Sequence, residues 1–496
     1  MSNHLYNTLI APHASSTAPF LTRDNAPDLS FANFAGMAAR MAHVLVANGL
    51  TPGDRVVVQA PKTIKMVALY IATIQAGGVF LPLNTAYTPD EVSYFIGDAT
   101  PRIIVCDPAA TTPASDATIL TLAADGSGTL TQTLSDHPPA FDTVPRGPDD
   151  LAGLLYTSGT TGRSKGAMMT HENLASNARS LVEHWRITSD DVLIHALPIF
   201  HTHGLFVALN TSLIAGAKVR FMPAFDLDVI ASALPQSTLM MGVPTFYTRL
   251  LADKRLTRDA TRNMRLFISG SAPLLAETHL AFTERTGHHI LERYGMTETN
   301  MITSNPYDGE RRAGTVGQPL PGVEVQLTER DSDGVGMIEV RGPNVFKGYW
   351  QMPEKTAAEL RDTGFFITGD LGEISPDGYL SIVGRAKDLI ITGGYNVYPK
   401  EVEDVLNDIP GVVESAVFGI PDPDFGEAII AAVVPGAELE VDALSQVVAE
   451  KLARFKHPRR YEIMSELPRN TMGKVQKNLL REMFAGDGGQ IAHPTA

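Results

Sequence analysis

From Phe31 onward the apolar positions Phe34, Ala38, Met41 and Leu45 recur at spacings of three and four, the stripe of an amphipathic helix, and Gly49 ends it. Residues 55–59 read as a strand, 63–75 as a helix, 79–82 and 102–106 as strands, with a helix opened by Pro89-Asp90-Glu91 between the last two. Alternation at this spacing predicts parallel strands with helices on both faces. The most apolar stretch, 66–83, is interrupted by Gln75, Gly77, Gly78 and Pro82, so it reads as helix, turn and strand rather than a membrane span. Residues 107–149 shift to Ala, Thr, Pro, Ser and Asp and are expected to be surface excursions between strands rather than core.

Near the C-terminus the texture changes. Val402, Val405 and Leu406 share a helical face, 413–419 and 428–434 read as strands, and Leu444, Val447, Val448 and Leu452 mark another helix. The expected architecture is α/β: a large N-terminal domain of parallel-rich sheets with helices, residues 1–386, and a small α+β C-terminal domain, residues 387–496. The junction falls near Gly384-Arg385-Ala386-Lys387-Asp388.

Composition narrows the function. The 496 residues carry a formal charge of −15, and an acidic surface repels phosphate backbones, which argues against nucleic acid as partner. The single cysteine, Cys106, cannot form an internal disulfide and no catalytic cysteine motif surrounds it; it is expected to be a buried structural thiol in a reducing, cytoplasmic compartment. The first Lys or Arg is Arg23, which does not suit a secretory signal or a basic transit peptide.

Candidate chemistry begins at Tyr156-Thr157-Ser158-Gly159-Thr160-Thr161-Gly162-Arg163-Ser164-Lys165-Gly166, where the apolar run 151–155 enters a loop. Glycines permit close backbone approach, while hydroxyls, backbone N–H groups and a lysine can surround polyphosphate oxygens. The spacing is not that of a Walker A loop. This segment resembles the phosphate loop of the adenylate-forming superfamily: acyl-CoA synthetases, luciferases and peptide-synthetase adenylation domains. Further blocks support the resemblance in order: Ser269-Gly270-Ser271-Ala272-Pro273, Arg293-Tyr294-Gly295-Met296-Thr297-Glu298, Thr368-Gly369-Asp370, Gly384-Arg385-Ala386-Lys387-Asp388, and Pro468-Arg469-Asn470-Thr471-Met472-Gly473-Lys474.

The resemblance implies the cofactors ATP, Mg²⁺ and coenzyme A, and assigns parts to residues. Thr157, Ser158, Gly159, Thr160, Thr161, Gly162 and Lys165 would hold the triphosphate; Gly270, Ser271, Ala272, Tyr294, Gly295 and Met296 the adenine side. Thr297 would offer a hydroxyl to phosphate, and Glu298 with Thr161 would hold Mg²⁺, a hard cation that prefers oxygen. Asp370 and Arg385 suit the ribose hydroxyls. Lys474 would stabilise the charge that develops as a carboxylate oxygen attacks the α-phosphorus and pyrophosphate leaves, making Lys474, Glu298 and Thr161 the implied catalytic set. In the superfamily the small domain is mobile; Lys387 matches its hinge, and Gly393-Gly394-Tyr395 resembles the loop lining the pantetheine tunnel.

The chain ends at residue 496, soon after Lys474, so no fused carrier domain is expected and free CoA is the favoured thiol. For the acid, Phe200-His201-Thr202-His203-Gly204-Leu205 together with Arg293 resembles malonyl-CoA synthetases, implying malonate, or methylmalonate, as substrate. A buried arginine in an acyl pocket is costly without an anion, so Arg293 is expected to grip a second carboxylate, with His201 beside it, Arg249 as a second cation, and Ser271 also lining the acid site. The alternatives are a ligase for another small acid, such as oxalate, acetate or an aryl acid, and a non-catalytic nucleotide-binding homologue. No membrane partner is expected. The setting of Lys474 also resembles that in which family members are inactivated by lysine acetylation, implying an acetyltransferase and a deacetylase as partners.

Overall fold

The computed structural model describes residues 2–23, 26–111, 115–157, 164–393, 395–422, 424–437, 439–470 and 473–485. The chain forms two compact units: Met1–Val325 with Val340–Phe366, and Gln326–Glu339 with Ile367–Ala496.

The first unit contains two large sheets. The strand Arg55–Gln59 lies between Val79–Pro82 and Ile103–Cys106, parallel to both, in a six-stranded sheet that continues to Leu151–Thr157 and ends with the antiparallel Lys165–Thr170. Three consecutive valines in Arg55–Gln59 are fully buried, as a parallel strand covered on both faces requires. The helix Phe31–Ala47 is capped by Ser30, and Pro89–Ala99 by a reciprocal Thr88/Glu91 box, so both start where polar oxygens can take up free N–H groups. The second sheet has nine strands among the described residues; its centre is parallel through Leu291–Met296, after which Asn300–Ser304 and Gln318–Pro319 each run antiparallel to the strand before.

One expectation needs correction. Within 107–149, Thr118–Thr121 is a parallel strand that extends the six-stranded sheet beside Ile103–Cys106, and Leu120, Leu122 and Leu130 are buried. The segment therefore contributes core as well as surface. Cys106 is buried, its Sγ 3.9 Å from the carbonyl of Leu120.

The second unit has its own cores. Its helix Pro399–Asn407 buries Val402 and Leu406 against the long hairpin Val412–Asp422 and Gly426–Pro435, and Leu444 and Val448 complete that cluster. The hairpin's other face packs on Leu467 and Leu480. A four-stranded sheet orders Glu324–Thr328, Gly336–Arg341, Phe366–Ile374 and Leu380–Arg385. No helix among the described residues is long and apolar enough to cross a membrane.

Candidate active site

In the first unit, Thr157 and Lys165 face each other across the antiparallel pair that flanks the expected phosphate loop. Ser158, Gly159, Thr160, Thr161 and Gly162 lie outside the described residues. Thr157 Oγ1 is 3.4 Å from Glu298 Oε1. Glu298 stands on the single turn Thr297–Thr299 and is 5% exposed; burial, opposed by hydrogen bonds and Lys165, raises its carboxyl above the usual range. The Tyr349 hydroxyl lies 3.1 Å from Glu298 Oε1 and 2.6 Å from Glu359 Oε2, while Lys165 Nζ sits 4.2 Å from the centre of the Tyr349 ring and 3.3 Å from Glu359 Oε1. Burial works to raise Glu359; the Lys355 and Tyr349 hydrogen bonds and the Lys165 charge outweigh it and hold the carboxyl low.

The strand Leu291–Met296 builds the other end. Side chains alternate along it, so Glu292 and Arg293 leave on opposite sides: Glu292 Oε1 lies 3.5 Å from His279 Nδ1, whereas Arg293 runs under Gly270. A Cβ at Gly270 would stand 2.4 Å from Arg293 Cζ, so a side chain there would push the guanidinium out of this position. Arg293 is 3% exposed, and its Nε and Nη2 have no hydrogen-bond partner among the described residues. Burial lowers it from 12.5 to about 9. Beside Gly270, Ser271 holds a left-handed φ of 72° and its Oγ is 3.2 Å from His203 Nδ1. His203 is 4% exposed, its Nε2 has no partner among the described residues, and burial with the charge of Arg293 holds its imidazole well below the usual histidine range. A buried cluster thus brings together a cation and an imidazole with hydrogen-bonding capacity unspent, and a hydroxyl that bonds the imidazole.

The other expected residues of this unit are placed as follows. Tyr294, Gly295, Met296 and Thr297 continue the strand into the Glu298 turn, and all four are partly buried. A Cβ at Gly295 would meet the Asn300 carbonyl at 2.0 Å, so the bend there needs glycine. Ala272 is partly buried. His201 is partly buried, its ring 4.5 Å from that of Phe200. Arg249 is exposed on the helix Pro244–Ala252, its guanidinium 5.5 Å from the Phe225 ring, and the structure does not bring it into the buried Arg293 cluster.

In the second unit, Asp370 and Arg385 are direct cross-strand partners, with Nε 2.5 Å from Oδ1. Asp370 is buried, and its N–H donates to Thr368 Oγ1 at 3.0 Å. Lys387 lies in the one-turn helix Ala386–Asp388; burial and neighbouring arginines lower its ammonium, with Asp388 opposing. Gly393 has φ 57° and donates to the Phe425 carbonyl at 2.8 Å; Gly394 lies outside the described residues. Lys474 is exposed on a turn closed by two hydrogen bonds with Asn470, and Gly473 supplies its φ of 75°.

The chain matches the family model for AMP-binding enzymes over residues 11–350, and that for the AMP-binding enzyme C-terminal domain over 401–474. The chain belongs to the AMP-binding enzyme family. It is an AMP-forming acid–CoA ligase, with ATP, CoA and a carboxylic acid as substrates. The ligase is 36% identical to the malonate–CoA ligase of Arabidopsis thaliana over 482 residues, 88% of this chain and 78% of that one. It is 33% identical to the oxalate–CoA ligase of the same plant over 484 residues, 92% of this chain and 94% of the other. The crystal structure of ATP-bound MatB from Rhodopseudomonas palustris superposes with a TM-score of 0.95 at 54% identity, covering 98% of this chain and 99% of that one.

Several residues that the structure places around the candidate site were not singled out in the sequence reading. His203 opens a π-helical turn, His203–Leu209, whose five-residue hydrogen-bond step leaves no mark in a pattern of threes and fours. Gly204 in that turn accepts at 2.8 Å from His195 Nε2, and His195 Nδ1 accepts from Lys62 Nζ at 3.0 Å. A backbone carbonyl only accepts, so the Gly204 contact fixes the His195 tautomer with its proton on Nε2, while burial holds Lys62 well below the usual lysine range. Burial, with the Lys62 charge, lowers His195 to about 3. Nothing about a lone lysine after Pro61 signals this role. Tyr349 and Glu359 were missed for the same reason: each is an ordinary residue until the fold delivers it to Lys165.

Proposed function

We propose that the ligase activates malonate, with methylmalonate as a second acid, through an acyl-adenylate that CoA then cleaves. The observation that carries this reading is the buried, unpartnered guanidinium of Arg293. A charge held out of water without a counter-ion is costly, and that cost makes sense where a substrate carboxylate completes the pair. Malonate's second carboxylate would take the free Nε–H and Nη2–H of Arg293, with His203 and Ser271 beside it; its first would face the nucleotide.

Adenylation turns a poor electrophile into a mixed anhydride with AMP as leaving group, and the thiol of CoA attacks the carbonyl. No enzyme nucleophile is needed, which agrees with the buried Cys106. Lys165 and the Thr157–Gly162 loop would hold the phosphates, Tyr294 with the Gly270–Ala272 turn the adenine, and Asp370 with Arg385 the ribose. Lys474 would neutralise charge on the α-phosphoryl group, then withdraw as the domain 387–496 turns about Lys387.

The oxygen donors around Glu298 fit Mg²⁺. Thr157 Oγ1 stands 3.4 Å from Glu298 Oε1, oxygen donors of the kind a hard cation prefers; Glu298, with Thr161, would hold the ion. Bound there, Mg²⁺ supplies neutralisation of the triphosphate.

Pyrophosphate exchange measured with one acid at a time and no CoA tests the reading. Exchange with malonate above that with acetate, oxalate, succinate or an aryl acid is expected. A preference for acetate would remove the dicarboxylate claim, and background exchange with every acid would favour a homologue without turnover.

A further inference from the structure

Three charged side chains of the first unit, Lys165, Glu298 and Glu359, meet around the ring of Tyr349. Tyr349 is 2% exposed and wedged edge-on against Phe346, centroids 4.8 Å apart and planes at 74°, so its ring is fixed by packing. Its face receives the Lys165 ammonium at 4.2 Å, an attractive arrangement for a partly desolvated cation. Its hydroxyl, in the plane of the ring, reaches Glu359 at 2.6 Å and Glu298 at 3.1 Å. One rigid side chain therefore sets the spacing between the lysine beside the phosphate loop and the carboxylate assigned to the metal.

Glu359 closes the circle. It ends the helix Pro353–Glu359 and touches Lys165 Nζ with both oxygens, at 3.3 and 3.4 Å. Lys355, one turn earlier, already neutralises it at 2.7 Å. With Lys355 already paired to it, Glu359 keeps a counter-ion when Lys165 leaves, so the lysine can be released to another anion without stranding the carboxylate. The helix is tied to the ring as well, since Tyr349 N–H donates to Thr356 Oγ1 at 2.9 Å.

We propose that Tyr349 and Glu359 are positioning residues for the nucleotide step: Glu359 is the resting counter-ion that parks Lys165 on the Tyr349 ring, and the triphosphate replaces it. This rests on reading Lys165 as a phosphate ligand. A carboxylate competing for the lysine weakens ATP binding slightly, while the box it completes keeps Lys165 and Glu298 at working distance. Binding and turnover then move in opposite senses when it is removed.

Malonate-dependent pyrophosphate exchange, with MgATP varied, tests this on four proteins: wild type, Glu359→Gln, Tyr349→Phe and Lys165→Met. Glu359→Gln keeps the shape and loses the charge; its KM for MgATP is expected to fall roughly two- to fivefold, the factor a partly exposed ion pair is worth, while kcat falls about tenfold. Tyr349→Phe keeps the face for the lysine and loses the hydroxyl, so kcat falls with KM unchanged. Lys165→Met raises KM, and adding Glu359→Gln to it produces no further drop in KM. If Lys165→Met leaves KM unchanged, the reading of Lys165 fails. If it raises KM but Glu359→Gln raises it too or leaves both parameters at wild-type values, the positioning role fails. Should Glu359→Gln not fold, Tyr349→Phe with unchanged kcat overturns the proposal by itself.

Discussion

Replacing Arg293 by methionine separates a substrate-binding arginine from a structural one, because the two roles predict opposite effects on stability. Methionine keeps an unbranched apolar stem and removes the guanidinium. In the ligase that group is 3% exposed, two of its nitrogens are unpartnered, and burial lowers it from 12.5 to about 9. At 1.36 kcal/mol per pKa unit, that displacement sets a ceiling of roughly 5 kcal/mol on the cost of holding the charge out of water there. Arg293→Met is therefore expected to stabilise the ligand-free protein by about 1–3 kcal/mol in denaturant unfolding. The same change removes a buried, bidentate charge pair from the malonate complex, on the order of 3–4 kcal/mol, so kcat/KM for malonate falls about 10²- to 10³-fold. Propionate, which has no second carboxylate, loses far less. AMP release with each acid, alongside an unfolding curve, reads both effects. A variant that keeps malonate kcat/KM within threefold, or that loses several kcal/mol of stability while all acids suffer equally, would refute the argument.

Three further outcomes follow from the same geometry. His195 and His171, lowered to about 3 and 4 from 6.5 mainly by burial, bind fewer protons folded than unfolded. Their contribution is present above pH 6.5 and is lost as pH falls toward 4 and then 3, at up to about 1.4 kcal/mol per pH unit each; a flat stability between pH 6.5 and 4 would contradict it. Lys62→Met removes the donor that fixes His195 and is expected to raise KM for malonate several-fold with KM for ATP unchanged; equal changes in both would place Lys62 outside the acid pocket. Lys474→Gln, which imitates acetylation, is expected to lower pyrophosphate exchange at least 10²-fold while preformed malonyl-adenylate still reacts with CoA. Loss of both half-reactions would contradict separate use of that lysine.

What the sequence revealed depended on how local the determining physics is. The strands Arg55–Gln59 and Val79–Pro82 were legible to the residue because each is a short apolar run bounded by breakers. Thr118–Thr121 was not, since a four-residue strand with threonine at both ends looks like loop until a neighbouring edge pairs with it. The site divides in the same way. The blocks around Gly270, Glu298, Asp370 and Lys474 concentrate glycine and polar groups within a few residues, and a local signal of that kind survives in the sequence. Arg293 was singled out because an arginine inside such a block has to be explained. Its neighbour His203 was passed over in favour of His201, because the π-helical turn that points its ring toward Ser271 arises from packing. Tyr349, Glu359 and Lys62 have meaning only through partners far along the chain.

The central claim is that the ligase selects a small dicarboxylate, and internal competition measures that selection most directly. With ATP, Mg²⁺ and CoA supplied, and malonate, methylmalonate, succinate, oxalate and acetate present at equal concentration, the early acyl-CoA products separated by mass give the kcat/KM ratios in one experiment. Malonyl-CoA as the main product, methylmalonyl-CoA second and acetyl-CoA at least 10²-fold lower, with AMP formed in equal amount to total acyl-CoA, is the predicted result. Acetyl-CoA or oxalyl-CoA in excess over malonyl-CoA would contradict it.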